Sequence, residues 1–208
     1  MMTGFKKIVM MANQEIDDKP SLPKEYMQLE YLECTGPQYI DVPVAWKDIN
    51  SITVTCQTTG TIGNTNQAVL GSKIGASATQ CWGIYTSGAL KDWQWSTGID
   101  PYLKITANLF TIINDNAVSG ASGSIIIADT QEVKNTAYSG FVPNDNLQLF
   151  ATNNSGRRFF GKIFHVAINT KTIELIPTLR IADSKPGMYD LVSGQFFVNQ
   201  GTGEFSYG

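Results

Sequence analysis

The sequence predicts an all-β fold, a sandwich or barrel of short antiparallel strands behind an N-terminal arm. Three observations carry that prediction. The stretch "SITVTCQT" (51–58) alternates strictly, with Ile52, Val54 and Cys56 on one face and Ser51, Thr53, Thr55 and Gln57 on the other. Period-two alternation marks a strand with one wet face. Clusters of Gly, Asn and Thr such as "TTGTIGNTN" (58–66) punctuate similar runs at short intervals. No long stretch has helical periodicity, and many short strands with such turns suit a sandwich or barrel.

The elements follow in order. Pro20 and Pro23 separate an arm, residues 1–20, from a domain spanning 21–208. "YMQLEYL" (26–32) sets Met27, Leu29 and Tyr31 against Gln28 and Glu30, and "QYIDVPV" (38–44) aligns Ile40, Val42 and Val44. After the 51–58 strand, "QAVLGS" (67–72), "QCWGIYT" (80–86) and "DWQWS" (92–96) read as short strands. "YLKITA" and "LFTII" lead to "NDN" (114–116), a candidate hairpin turn, and "GSIIIAD" (123–129) is an apolar strand. "NLQLFATN" (146–153) alternates Leu147, Leu149 and Ala151, and "RRFFGKIFHVAIN" (157–169) places Phe164, Val166 and Ile168 together, with His165 sharing the other face with Ile163 and Ala167. The closing "GMYDLVSGQFFVNQGTGEFSYG" (187–208) is rich in glycine and aromatics and poor in charge. It reads as strands that finish a β-fold.

Composition bounds the function. The chain has 208 residues, a size compatible with one sandwich domain. A net charge of −3 provides no basic footprint for nucleic acid. No apolar run reaches 18 residues, so no transmembrane helix is expected and no membrane partner. The start "MMTGFKKIVMMANQE" imitates a signal peptide, but Ile8–Ala12 is too short for its apolar region. The expectation is a non-secreted chain whose arm offers Phe5, Ile8, Val9 and Met10 as an assembly anchor. Three cysteines, Cys34, Cys56 and Cys81, do not make a closed disulfide framework.

Each candidate chemistry has a plainer counterpart. Glycoside hydrolysis needs two carboxylates on one face. Glu30 and Glu33 have an odd spacing, which puts them on opposite faces of one strand. His165, the single histidine, lacks a sequence-evident nucleophile and acid, so a hydrogen-bonded strand histidine is the simpler reading. No C-x-x-C pair supports zinc, and the "NDN" stretches at 114–116 and 144–146 are explained as turns without calcium. No catalytic residue, metal or cofactor is expected. Trp82, Tyr85, Trp93, Trp95 and Tyr102 crowd one stretch. Sugar rings stack on aromatic faces through their C–H surfaces, so these five are the candidate glycan contacts. Core packing or a subunit contact is the alternative.

The opening "LPKEYMQLEYLECTGPQYIDVPV" (22–44) resembles a recurrent phrase, L-P-x-x-Y-x-x-L-E-Y-I-E-S-T-G-x-Q-Y-I-D. "LQLFATNNSGRRFFGKIFHVAI" (147–168) is similar to L-Y-L-F-A-x-N followed by a strand. "ELIPTLRIADSKPGMYDLVSGQFFVNQGTGEFSYG" (174–208) resembles an F-I-P … G-L-Y-D-x-V-x-x-x-F-Y-x-N-x-G-T-G-x-F ending. These phrases mark a concanavalin A-like, laminin-G-like jelly-roll family of tailed phages, prophages and gut-bacterial surface proteins. Cys34 stands where Ser is usual and Pro37 where Thr is usual.

The resemblance implies a two-sheet antiparallel jelly roll in which "QYIDV" lies beside "FFVN" or "EFSY", with Gly201 and Gly203 supplying positive φ in the last turn. The missing carboxylate pair sets the expectation of a non-enzymatic protein. The expected function is a structural virion protein of a tailed phage, a capsid decoration, head fibre or tail appendage, assembled in the host cytoplasm. Its expected partners are other virion proteins, bound through the arm, further copies of itself and host-surface glycan. The alternative is a carbohydrate-binding or adhesion module at a bacterial cell surface.

Overall fold

The computed structural model describes residues 21–45, 48–49, 51–59, 67–73, 81–87, 92–95, 103–104, 109–115, 123–127, 132–136, 146–152, 158–169 and 171–208, with the strands from 81 to 136 described as backbone. The arm 1–20 and its anchor candidates Phe5, Ile8, Val9 and Met10 lie outside the described residues.

Numbered along the chain, the strands are β1 (Tyr26–Gln28), β2 (Leu32–Cys34), β3 (Ile40–Ala45), β4 (Ser51–Thr58), β5 (Gln67–Lys73), β6 (Cys81–Ser87), β7 (Asp92–Trp95), β8 (Leu103–Lys104) and β9 (Leu109–Asp115). They continue as β10 (Gly123–Ile127), β11 (Glu132–Thr136), β12 (Asn146–Leu149), β13 (Gly161–Ile168), β14 (Ile173–Arg180), β15 (Lys185–Asp190), β16 (Phe196–Val198) and β17 (Ser206–Tyr207). The large sheet runs β11-β10-β9-β4-β13-β14-β15-β16, with β1 on β14 and β2 between β13 and β17. The small sheet runs β3-β12-β5-β6-β7-β8. The pairing is antiparallel throughout, and the described residues contain no α-helix.

One apolar core joins the two sheets. Ile40, Val42, Leu70, Leu147 and Leu149 from the small sheet and Ile52, Val54, Cys56, Val166 and Leu175 from the large one belong to a single buried cluster. β4 matches its alternation in full, with Ile52, Val54 and Cys56 buried between half-exposed neighbours. In β12, Gln148 is buried as well, and its amide donates to Asp41 Oδ1 at 2.7 Å. That bond supplies the partner a buried amide needs.

The structure departs from the sequence reading at several points. The run 26–32 is two strands broken at Leu29–Tyr31, because the chain follows β14 as far as Leu29, whose N–H donates to the Pro177 carbonyl, and then crosses to pair with β13 and β17, starting with Glu30 N–H on the Gly208 carbonyl. Leu29 is buried as expected, but Met27 is exposed. In β13 the register against β4 slips between Ile163 and His165, a β-bulge. One extra residue flips the parity, so Ile163, Val166 and Ile168 reach the core and Phe164 does not. His165 therefore parts from Ile163. Asn114 and Asp115 are not a turn but the last pairs of β9, opposite Ile125 and Ser124. Gly203 has φ +77°, as expected, whereas Gly201 is needed for space, since a Cβ there would sit 1.8 Å from the Pro37 carbonyl oxygen.

The expected neighbourhood of β3 and the closing segment is present. Gln200 N–H donates to the Tyr39 carbonyl at 2.8 Å. Asn199 Oδ1 accepts from Tyr39 N–H at 3.1 Å and Gly201 N–H at 2.8 Å, and its amide donates to the Gly203 carbonyl at 2.7 Å. From the other side, Gln38 Oε1 accepts from Gly36 N–H at 2.8 Å while its amide donates to the Glu204 carbonyl at 3.0 Å. Two side-chain amides thus clasp segment 36–39 to segment 199–204. β17 adds to β2, with Ser206 opposite Glu33 and Tyr207 opposite Leu32. Asp190, also buried, accepts from the backbone N–H of Glu174, Val192 and Ser193 and from the Ser193 hydroxyl, which fixes the turn between β15 and β16.

Asn199→Ala removes three hydrogen bonds and is expected to cost about 2–4 kcal/mol, at about 0.5–1.5 kcal/mol each. Gly201→Ala is expected to cost at least about 2 kcal/mol through backbone overlap. Urea titration of both variants checks this, and wild-type midpoints for both would remove the clasp as a determinant of stability.

Candidate functional site

The glycan candidates fall on the small sheet. Trp82 stands opposite Ser72, Trp95 opposite Ile84, Trp93 opposite Thr86 and Tyr85 opposite Gln94. A single cross-strand row reads Ile40, Leu149, Leu70, Ile84, Trp95. Its first three members are fully buried core residues. Trp82 and Trp93 have the same parity as Trp95, and Tyr85 has the opposite parity. Register thus sets the three tryptophans in the row that begins with Ile40, Leu149 and Leu70, and Tyr85 in the alternate one. Tyr102 lies outside the described residues, as do the side chains of the other four.

A different aromatic group is described in full on the outer face of the large sheet. The row Gln57, Lys162, Glu33, Ser206 crosses β4, β13, β2 and β17, with core residues Cys56, Ile163, Leu32 and Cys34 on the reverse. The bulge then sets Phe164 and His165 consecutively on this outer side. Phe164 meets Tyr31 edge-on, with ring centroids 5.7 Å apart at 60°. Lys162 Nζ lies 3.6 Å from the Tyr31 ring centroid, a cation–π contact. Tyr31, Lys162, Phe164 and His165 are all partly exposed.

His165 Nε2 lies 3.3 Å from Glu174 Oε1, and Lys171 Nζ lies 3.5 Å from the same oxygen. An imidazole–carboxylate pair orients a general base, but covalent catalysis also needs a nucleophile within hydrogen-bond reach of the imidazole. The Glu174 carboxylate is already shared with Lys171, which fits an ion cluster. Glu33 sits in β2 opposite Lys162 and Ser206, and Glu30 in the break before β2, where its N–H donates to the Gly208 carbonyl. Glu30 and Glu33 are thereby not set as an acid–base pair on one strand. Among the described residues no group of three His, Cys, Asp or Glu side chains is placed to hold a metal ion, and no helix is long and apolar enough to cross a membrane.

A cleft of about 210 Å³ opens beside the clasp, lined by Lys185, Pro186, Val198, Asn199, Gly201 and Glu204 among others. Asn199 and Gly201 there are already committed to the hydrogen bonds between the two segments. Cys34 and Cys56 are free thiols buried in the core. Burial pushes the Cys34 thiol up, partly countered by its bonds to the Gly36 and Gln38 carbonyls, and pushes Cys56 up further.

Sequence reasoning missed the Tyr31–Phe164 pair. The available signal was Ile163, whose parity differs from that of Val166 and Ile168, so one strand buries all three only with an extra residue between them. No protein-family model matches the chain, and no curated protein matches it.

Thiols held in the neutral form and away from solvent react slowly. Cys34 and Cys56 are expected to resist iodoacetamide in the native protein at pH 8 and to react on unfolding. Site-resolved mass spectrometry reads this, and rapid native alkylation of either would contradict the burial described.

Proposed function

We propose that the chain is a non-enzymatic structural protein of a tailed-phage virion, a capsid decoration, head fibre or tail appendage. In this reading the domain is a concanavalin A-like, laminin-G-like jelly roll, and it meets host-surface glycan. One observation carries the proposal: the residues that bear the resemblance have packing and joining roles. Tyr26 packs on Tyr189 and Phe196 at 4.8 and 5.1 Å between centroids. Gln38, Asn199, Gly201 and Gly203 build the clasp. Asp190 holds its turn, and Phe205 packs on Phe150 at 4.9 Å. Phrase letters with such scaffold roles suit a family that shares a fold and varies its attachments.

Attachment falls to the arm. Burying Phe5, Ile8, Val9 and Met10 at a partner surface contributes about 6–10 kcal/mol. Ordering a dozen arm residues costs at least about 12 kcal/mol in backbone entropy. Main-chain hydrogen bonds to the partner, by strand addition, supply the difference. The partner is another virion protein or another copy of this chain, and the assembled location is the virion.

Deleting residues 1–20 is expected to leave a folded domain that no longer co-sediments with particles or assembles with itself. Unchanged assembly of the truncated chain sinks the arm as anchor. Incubation with polysaccharides is expected to give no new reducing ends. Turnover abolished by His165→Ala, Glu174→Gln, Glu30→Gln or Glu33→Gln would show an enzyme instead.

A further inference from the structure

The β-bulge in β13 lets Ile163, Val166 and Ile168 all reach the core, and it has a second effect on the opposite face. Without it, Phe164 would alternate outward and His165 inward. With it, both stand on the outer face, beside Tyr31 and Lys162. Bulges re-aim side chains, and this one sets an aromatic ring and an imidazole next to each other on a polar sheet face.

We infer that Tyr31 and Phe164, flanked by Gln57, Lys162 and His165, form a platform for a neutral saccharide ring. The inference rests on the glycan-contact part of the proposed function and moves that contact away from the tryptophan stretch. Two features select the ligand class. Lys162 covers one face of the Tyr31 ring, so the partly exposed Phe164 and the remainder of Tyr31 offer apolar surface to the C–H face of a pyranose, while the amide of Gln57 and the imidazole of His165 offer hydrogen bonds to its hydroxyls. The charges are compensated, since Lys162 stands opposite Glu33 and Lys171 lies against Glu174. A compensated face suits an uncharged polyhydroxylated ligand and gives a polyanion no net field. The tryptophans, in contrast, share the parity of the buried row through Leu70 and Leu149.

The test uses the full chain against immobilised cellohexaose, maltohexaose, N-acetylchitohexaose and hexagalacturonate. The wild type is expected to bind at least one neutral hexasaccharide. Phe164→Leu and Tyr31→Leu, which retain apolar bulk, are each expected to weaken binding about 3- to 10-fold, the range of one aromatic contact. His165→Gln, which places no demand on the core, is expected to weaken it about 2- to 5-fold, as one hydrogen bond would. Trp93→Phe is expected to leave it unchanged. Neutral-sugar binding that survives all three outer-face variants overturns this platform while leaving glycan contact standing, most directly if Trp93→Phe abolishes it. Binding to hexagalacturonate alone overturns the neutral ligand class. Absence of binding to every probe overturns the glycan reading itself, and the platform with it.

Discussion

Segment 36–39 and segment 199–204 are held together by the side-chain amides of Gln38 and Asn199, and the sandwich is arranged around that joint. The contact spans 160 residues between Tyr39 and Asn199. Closing a loop of that length costs about 4–5 kcal/mol plus a constant, so the bonds at the joint must act together to offset it. They bond in both directions. Asn199 accepts from the early segment and from its own loop, while Gln38 accepts from its own turn and donates to the late segment. Each amide therefore organises a turn and a long-range contact at once. Gly201 completes the fit by having no side chain where the Pro37 carbonyl approaches.

Much of the scaffold was legible because burial writes itself as alternation. β4 is the clearest case, and Ile40 with Val42 in β3 follows. What alternation cannot show is where it changes phase. The bulge at Phe164 and the break at Leu29–Tyr31 both arise from backbone partners contributed by distant strands. Phe150 is a related case. It holds φ +65°, costly for a bulky residue, while its N–H and C=O bond Val69 and Phe159 and its ring packs on Phe205. Nothing local in "LFAT" announces that. Gly201 and Gly203 look alike in sequence, yet one supplies a dihedral and the other a space.

The candidate site was less legible than the fold for the same reason. Crowding of Trp82, Trp93 and Trp95 is visible in sequence, but the register that sets them in the row beginning with Ile40, Leu149 and Leu70 is not. Tyr31 and Phe164 are 133 positions apart and meet only because β2 pairs with β13 and the bulge turns Phe164 outward.

The pairing of β2 with β17 has a mechanical consequence. Glu30 N–H meets the Gly208 carbonyl, and the ladder continues inward through Leu32–Tyr207 and Glu33–Ser206 toward the Gln38–Asn199 joint. A pull between the segment before β1 and Gly208 would open these contacts one at a time, like a zipper, instead of loading them in parallel. Such a module is poorly suited to transmit tension in series. It is better suited to a load that enters at one end only, which leaves the β2–β17 ladder unstressed.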